Sequence, residues 1–170
     1  TVITGTAISG RIKTGEDLMF CPSRISGKIR GIQVHNKDTQ EAEAGHRTAI
    51  NLQGLEKESI SRGEMAAAVD CLQPSYLLDA RFLFLDSNKK PYKNRARVRI
   101  HIGTAEIMGR IVLLADEELA PGSEANVQIL LEEQIGCWPG DKYVVRSYSP
   151  IHTIGGGVIF NGSPRKRKRF

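Results

Sequence analysis

The side chains with the clearest chemical potential form a short run in which cations alternate with apolar residues. The run contains three arginines, Arg95, Arg97 and Arg99, and one histidine, His101. A period of two places all four on one face of a β-strand. Guanidinium groups offer a planar fork of donors to phosphate oxygens, and several together neutralise a nucleic-acid backbone. The run therefore indicates either a phosphate-binding surface or a solvated strand face balanced by the acids between Asp116 and Glu133.

Motifs that would support catalysis or metal binding are incomplete. No GxxxxGKS or GxxxxGKT phosphate loop occurs, and Asn36-Lys37-Asp38 differs from the guanine-reading NKxD because its aspartate comes one position early. The run Gly155-Gly156-Gly157 lacks the lysine of a phosphate loop and indicates tight packing of a strand. The four histidines show neither HxH nor HExxH spacing. We therefore predict no catalytic residue, no metal site and no cofactor within these residues.

Three cysteines, Cys21, Cys71 and Cys137, lie far apart and form no CxxC pair. This spacing favours reduced thiols over a disulfide framework or a zinc site. A small thiol enzyme that uses Cys137 or Cys21 is the alternative, but no basic residue adjoins Cys137 in the sequence to lower its pKa. A packed thiol is the better interpretation.

The charge of the chain is unevenly distributed. The 170 residues include 24 Lys and Arg against 19 Asp and Glu, which gives a net charge of +5. Five of the basic residues occupy positions 165–169, so the other 19 equal the acids in number. No apolar run approaches the roughly 20 residues of a membrane-spanning helix, and no signal sequence is evident. We expect a cytoplasmic protein without membrane contacts and, since it starts at Thr1, a piece of a longer one.

Short β-rich segments separated by turn residues predict an all-β architecture. Expected strands in the first half are 2–9, 17–21, 28–35, 47–53 and 64–71, with Gly31 as a candidate bulge. Expected strands in the second half are 77–85, 95–103, 105–115, 124–132, 142–148 and 156–160. Residues 55–62 suggest about two helical turns. Six strands in the second half indicate a closed or sandwiched antiparallel barrel.

Several stretches in order carry a family resemblance. Segments 1–6, 15–18, 31–37, 44–52 and 60–64 resemble the second domain of elongation factor Tu. Segments 101–106 and 146–157 are similar to the third domain of the bacterial selenocysteine-specific elongation factors, the SelB family, and the stretch SYSPIHTIGGG is the most specific part. The end of the chain resembles that family's linker toward C-terminal winged-helix domains.

The resemblance implies two consecutive antiparallel β-barrels of the translational GTPase type. Residues 1–72 would be the domain II barrel, 73–163 the domain III barrel, and 164–170 a basic linker. Selenocysteyl-tRNA and the ribosome would be the partners of a monomer. GTP and Mg²⁺ would bind an N-terminal domain outside this sequence, and the selenocysteine-insertion mRNA hairpin would bind C-terminal domains outside it. The piece itself would be no enzyme.

The resemblance also implies roles for single residues. His35 and Arg47 would face the selenocysteyl group, Arg62 the acceptor stem, and the T-stem would meet Arg97, Arg99, Ser149, His152 and Thr153. A selenol is largely ionised at neutral pH whereas a serine hydroxyl is neutral, so a cation at position 47 suits selenocysteine. The alternative for Arg47 is an ordinary ion pair with Glu41 or Glu43. The alternative for the whole chain is a non-catalytic module of another translational GTPase that contacts the ribosome or a protein.

Overall fold

The computed structural model describes residues 1–166, and these fold into two compact units. The first unit comprises Thr1–Ser61 and Ala66–Cys71, and the second comprises Arg62–Met65 and the chain from Leu72 onward. Strands dominate both units, which confirms the all-β prediction. Within the described residues there is no α-helix, and the helical turns expected at 55–62 reduce to a 3₁₀ turn at Lys57–Ser59. Two helical turns, as expected from the sequence, would form too few backbone hydrogen bonds to offset the free-energy cost of nucleating an α-helix.

The first unit is built from antiparallel strands. They are β1 (Val2–Thr6), β2 (Arg11–Lys13), β3 (Asp17–Cys21), β4 (Ser26–Val34), β5 (Lys37–Thr39), β6 (Glu41–Glu43), β7 (Arg47–Gln53) and β8 (Met65–Ala68). Six of them form one sheet in the order β1-β7-β4-β3-β8, with β5 added to β4, while β2 and β6 form a separate two-stranded ribbon. Strand β4 is thus the centre of the sheet, because it pairs with β3, β5 and β7.

A bulge in β4 sets which side chains reach the core of the first unit. The pairing of β4 with β7 shifts register between Ile29 and Gly31, as the sequence suggested. The extra residue lets Ile29 and Ile32, three positions apart, both point inward, and each is 1% exposed. They pack with Leu18, Phe20 and Leu52 in one hydrophobic cluster.

The second unit contains a closed barrel, which confirms the barrel expected for the second half. Its strands are β9 (Ser75–Phe84), β10 (Tyr92–Lys93), β11 (Arg97–Ile102), β12 (Ala105–Leu113), β13 (Glu118–Leu119), β14 (Glu124–Ile135), β15 (Lys142–Ser147) and β16 (Thr153–Asn161). The barrel closes in the order β11-β12-β14-β9-β16-β15, and β10 pairs with β13 outside it. Closure removes the free strand edges that an open sheet would present.

Inward-facing side chains fill the barrel, and glycines bring two of its strands close together. Phe82, Ile111 and Ile129 are fully buried and belong to a single core cluster. An ideal Cβ on Gly157 would overlap the carbonyl oxygen of Arg81 on the neighbouring strand β9. The glycine run therefore serves tight strand packing, as the sequence predicted.

The strand boundaries correct the sequence prediction in one functional respect. The alternation predicts Arg95 on the cationic strand, but β11 begins at Arg97. Arg95 lies before it in the left-handed region with φ of 65°, and its carbonyl accepts a hydrogen bond from Arg110. The cationic face of β11 itself therefore consists of Arg97, Arg99 and His101.

Candidate functional site

A small pocket lies on the sheet of the first unit. Its volume is about 130 Å³, and its lining residues are Thr4, Gln33, His35, Asn36, Arg47 and Ala49. This is below the roughly 300–1,000 Å³ of pockets that enclose drug-sized ligands. The pocket is suited to one amino-acid side chain, and it contains both residues that the sequence assigned to an aminoacyl group.

Strand register explains why His35 and Arg47 meet although twelve positions separate them. Strands β4 and β7 are antiparallel, with Val34 opposite Thr48, so the next positions along the same ladder are 35 and 47. His35 and Asn36 form a two-residue loop between β4 and β5, with φ of 52° and 61°. Two successive positive φ angles are those of a type I′ hairpin turn. The turn holds His35 at the end of β4, beside the start of β7.

Alternation along β7 places Arg47 on the outer face of the sheet. Thr48, Ile50 and Leu52 point into the core, whereas Arg47 is exposed. On the other side of β7, Thr6 lies opposite Arg47 and Thr4 lies opposite Ala49. Strands β1, β7 and β4 therefore each contribute residues to the pocket.

The guanidinium of Arg47 makes no ion pair within the described part of the chain. Glu41 lies against Arg11 and Lys13, and Glu43 lies 4.0 Å from Arg11, all on the β2–β6 ribbon. The alternative that Arg47 pairs with Glu41 or Glu43 is therefore wrong. Arg47 is left as an unneutralised cation beside His35, whose ring meets that of His46 edge-on at 5.7 Å.

The second candidate surface is the outer face of strand β11. Arg97 donates two hydrogen bonds to Glu132 on β14, from Nε at 2.7 Å and from an Nη at 2.6 Å. Arg99 donates one to Glu106 on β12 at 2.7 Å. These bonds lower the pKa of both carboxyl groups from their ordinary value, mainly because each accepts a hydrogen bond from its arginine. Carboxylates thus occupy the donor forks that could bind phosphate.

One aromatic ring supports both arginines. The guanidinium carbons of Arg97 and Arg99 lie 5.1 Å and 5.9 Å from the ring centroid of Tyr148, which follows β15. No aromatic residue occurs within the cationic run itself, and Tyr148 comes from the end of another strand of the barrel. Cation–π contacts of this kind hold the guanidinium planes in place.

A third arginine joins this face from strand β15. Arg146 lies directly opposite Arg99 in the β11–β15 ladder. The Nε atoms of Arg99 and Arg146 and the Nε2 of His101 are buried, and none has a hydrogen-bond partner among residues 1–166. We define the arginine face as Arg97, Arg99, His101, Arg146 and Tyr148.

The loop after β15 holds the remaining T-stem candidates. The hydroxyl of Ser147 donates to the carbonyl of Pro150, and its oxygen accepts from the backbone N–H of His152 at 3.1 Å. The Nδ1 of His152 lies 2.8 Å from this oxygen. These bonds fix a tight loop in which Ser149 and His152 are exposed, and β16 starts at the exposed Thr153.

Arg62 does not join the pocket of the first unit. It is exposed and belongs to the stretch Arg62–Met65, which groups with the second unit. The structure therefore brings His35 and Arg47 together, and likewise Arg97 and Arg99, but it places Arg62 in neither set. Its role at the acceptor stem stays a prediction.

Other reactive groups in the described residues do not form a site. Cys21 and Cys137 are buried, Cys71 is exposed, and no disulfide links them. Within residues 1–166, no group of three or more His, Cys, Asp or Glu side chains is arranged to hold a metal ion. None of the helical structure in that range has the length and hydrophobicity to span a bilayer. The basic linker proposed for 164–170 lies mostly outside the described residues, since these end at Lys166.

Sequence reasoning missed several residues that complete both surfaces. In the pocket these are Thr4, Gln33, Asn36 and Ala49, and on the arginine face and around it they are Tyr148, Arg146, Glu106 and Glu132. Alternation along 142–148 could have placed Arg146 on an outer face. The partners on other strands depend on pairings over long sequence distances, which no local pattern reveals.

Comparison with known proteins gives matches over both units. The family model described as "Selenocysteine-specific elongation factor, beta-barrel domain" matches residues 79–166, and "Elongation factor Tu domain 2" matches residues 1–67. A similar curated protein is the selenocysteine-specific elongation factor of Desulfomicrobium baculatum. It is 40% identical over 169 residues, which are 99% of this chain and 27% of that protein. The chain thus spans about a quarter of the length of this relative.

Proposed function

The chain belongs to the selenocysteine-specific elongation factor family, and we propose that it is the part of such a factor that binds selenocysteyl-tRNA. In this proposal the first unit holds the aminoacyl end and the barrel of the second unit contacts the T-stem. The whole factor would deliver the tRNA to the ribosome at recoded UGA codons. GTP hydrolysis and binding of the mRNA hairpin would belong to other domains of the factor.

The observation that carries the proposal is the pocket that combines Arg47 with His35. Arg47 is a cation without an ion pair in the described residues, and the pocket is small enough to select one side chain. A selenolate placed beside it would gain Coulomb energy that a neutral serine hydroxyl cannot. At about 4 Å that energy ranges from ~1 kcal/mol in bulk water to ~4 kcal/mol at an effective dielectric constant of about 20. Because Arg47 is exposed, the lower part of this range is the appropriate one.

The arginine face supports the T-stem part of the proposal. Three arginines and a histidine lie together on the outside of the barrel, and Tyr148 orients two of them. Duplex RNA is recognised largely through its phosphates and 2′-hydroxyls, without reading of base sequence. Fixed guanidinium groups are suited to such contacts, since their forks match phosphate oxygens.

The test is the change Arg47→Ala in the full-length factor. We expect the affinity for selenocysteyl-tRNA to fall by about five- to ten-fold, while the affinity for seryl-tRNA on the same tRNA body changes little. Equilibrium dissociation constants for both ligands provide the measurement. Arg30→Ala is the matched control, because Arg30 is an exposed arginine of the same sheet that does not line the pocket.

An equal decrease for both ligands would contradict the pocket assignment. If a tRNA minihelix of the acceptor and T arms fails to compete for the arginine face, the alternative of a ribosome- or protein-contacting module is favoured instead. That competition is measured separately, so the two parts of the proposal can fail independently.

A further inference from the structure

The two acids beside the arginine face hold guanidinium donors that could otherwise bind RNA phosphates. Glu132 accepts both hydrogen bonds of the Arg97 fork, and Glu106 accepts from Arg99. Carboxylate and phosphate oxygens compete for guanidinium donors because both bind the planar fork in the same way. A phosphate can reach this geometry on Arg97 only after Glu132 has left it.

The members of both arginine–glutamate pairs carry opposite charges at neutral pH. The hydrogen bonds from Arg97 and Arg99 hold the pKa of Glu132 and Glu106 below the usual range, so both acids are charged at neutral pH. Their side chains remain 44% and 50% exposed, and those of the arginines 39% and 27%. Solvent access leaves room for a carboxylate to swing away when a phosphate arrives.

The pairs also reduce the charge that the face offers to RNA. Two carboxylates oppose the three arginines of the face, and of these three only Arg146 makes no ion pair in the described residues. A polyanion that does not match the spacing of the arginines therefore contacts a nearly neutral surface. A ligand that places several phosphates at the correct spacing can displace both carboxylates from their arginines at once. Each displaced carboxylate then becomes hydrated.

We propose that Glu106 and Glu132 are specificity-determining residues, which hold Arg97 and Arg99 in carboxylate pairs that RNA phosphates must displace. This inference rests on the proposed T-stem contact and adds the competition that governs it. The acids weaken all RNA binding, but they weaken binding of a poorly fitting duplex more than binding of a well-fitting one. They therefore increase selectivity at the expense of affinity.

The experiment compares Glu132→Gln with Glu133→Gln in the full-length factor. Both changes raise the net charge by one on the same strand, but Glu133 is exposed and makes no ion pair in the described residues. The probes are a selenocysteine tRNA transcript and a random duplex RNA of similar length. We expect Glu132→Gln to tighten the random duplex by about ten-fold and the transcript by about three-fold, with a salt dependence steeper by about one unit in log K against log salt.

Glu106→Gln is a second, independent test at Arg99. Like Glu132→Gln, it should increase the affinity for both RNAs and decrease the selectivity between them. If Glu132→Gln and Glu106→Gln change binding no more than Glu133→Gln, the inference is overturned. It is also overturned if both RNAs tighten equally, because selectivity would then be unaffected.

A separate arm distinguishes this failure from failure of the T-stem contact. If charge reversal at Arg97 and Arg99 leaves transcript binding unchanged, the proposed contact itself is wrong. If that reversal weakens binding while the glutamine variants match Glu133→Gln, the contact stands and only the competition is refuted.

Discussion

At the scale of single residues, the two surfaces use arginine in different ways. Arg47 is an exposed cation without an ion pair in the described residues, and it lines a small pocket. Arg97 donates hydrogen bonds to Glu132 from two of its guanidinium nitrogens and makes a cation–π contact with Tyr148. The first arrangement favours attraction of a single anion by charge alone. The second depends on the geometry of the fork.

The change Arg47→Lys tests whether charge or geometry matters in the pocket. A selenolate is a single negative centre that cannot use a bidentate fork, so an ammonium should serve nearly as well as a guanidinium. We expect Arg47→Lys to reduce the preference for selenocysteyl- over seryl-tRNA by no more than about two-fold. The same pair of dissociation constants measures it. A reduction as large as that of Arg47→Ala would show that donor geometry decides instead.

Some residues of the two surfaces could be predicted from the sequence and others could not, for different physical reasons. Alternation at 97, 99 and 101 correctly placed two arginines and a histidine on one strand face, because a strand has a period of two. The proximity of His35 and Arg47 was available only from the family resemblance. Its physical cause is the register of β4 against β7, with His35 held at the end of β4 by a two-residue turn that lacks the Asn-Gly signature of such turns. Glu132 lies 35 positions from Arg97, and the two come close because β11 and β14 both pair with β12.

At the scale of elements, long strands were predictable and short ones were not. The long strands of both halves appear near the expected positions, with β11 shortened at its start. Strands β2, β5, β6, β10 and β13 have two or three residues each and were missed, since such lengths cannot display a period. Their positions are fixed by pairing with partners elsewhere in the chain.

The glycine run of β16 provides a prediction at this scale. Gly157→Ala would place a Cβ on the carbonyl oxygen of Arg81, which is backbone and cannot rotate away. We expect the free energy of unfolding to fall by about 3 kcal/mol or more. Urea unfolding of both proteins measures this change.

The control for that substitution is Gly5→Ala. An ideal Cβ at Gly5 meets no atom within 4 Å, and the residue has no positive φ. Its effect should stay within roughly 0.5–1 kcal/mol, as for most exposed substitutions. Equal stability of the Gly157→Ala variant and the unmodified protein would mean that β9 and β16 separate easily.

At the scale of the whole molecule, the placement of charge is more informative than its sum. The net charge of +5 equals the number of basic residues at positions 165–169, and the rest of the chain is balanced. Within that balanced part the arginine face gathers three arginines, two of which are paired with acids. A protein can therefore carry its net positive charge in one segment and a separate cluster of arginines in another.

Charge reversal on the arginine face and, separately, at residues 165 and 166 distinguishes the contribution of the face from that of net charge. Arg97→Glu with Arg99→Glu should weaken selenocysteyl-tRNA and seryl-tRNA alike, because the T-stem is common to both ligands. The salt dependence should flatten by about one unit of slope for each phosphate that the protein no longer neutralises. The matched control is Arg165→Glu with Lys166→Glu, which changes the net charge equally at two exposed residues near the end of the described chain. Equal weakening in the two variants would show that net charge alone controls binding, whereas weakening confined to the barrel variant requires the arginine face.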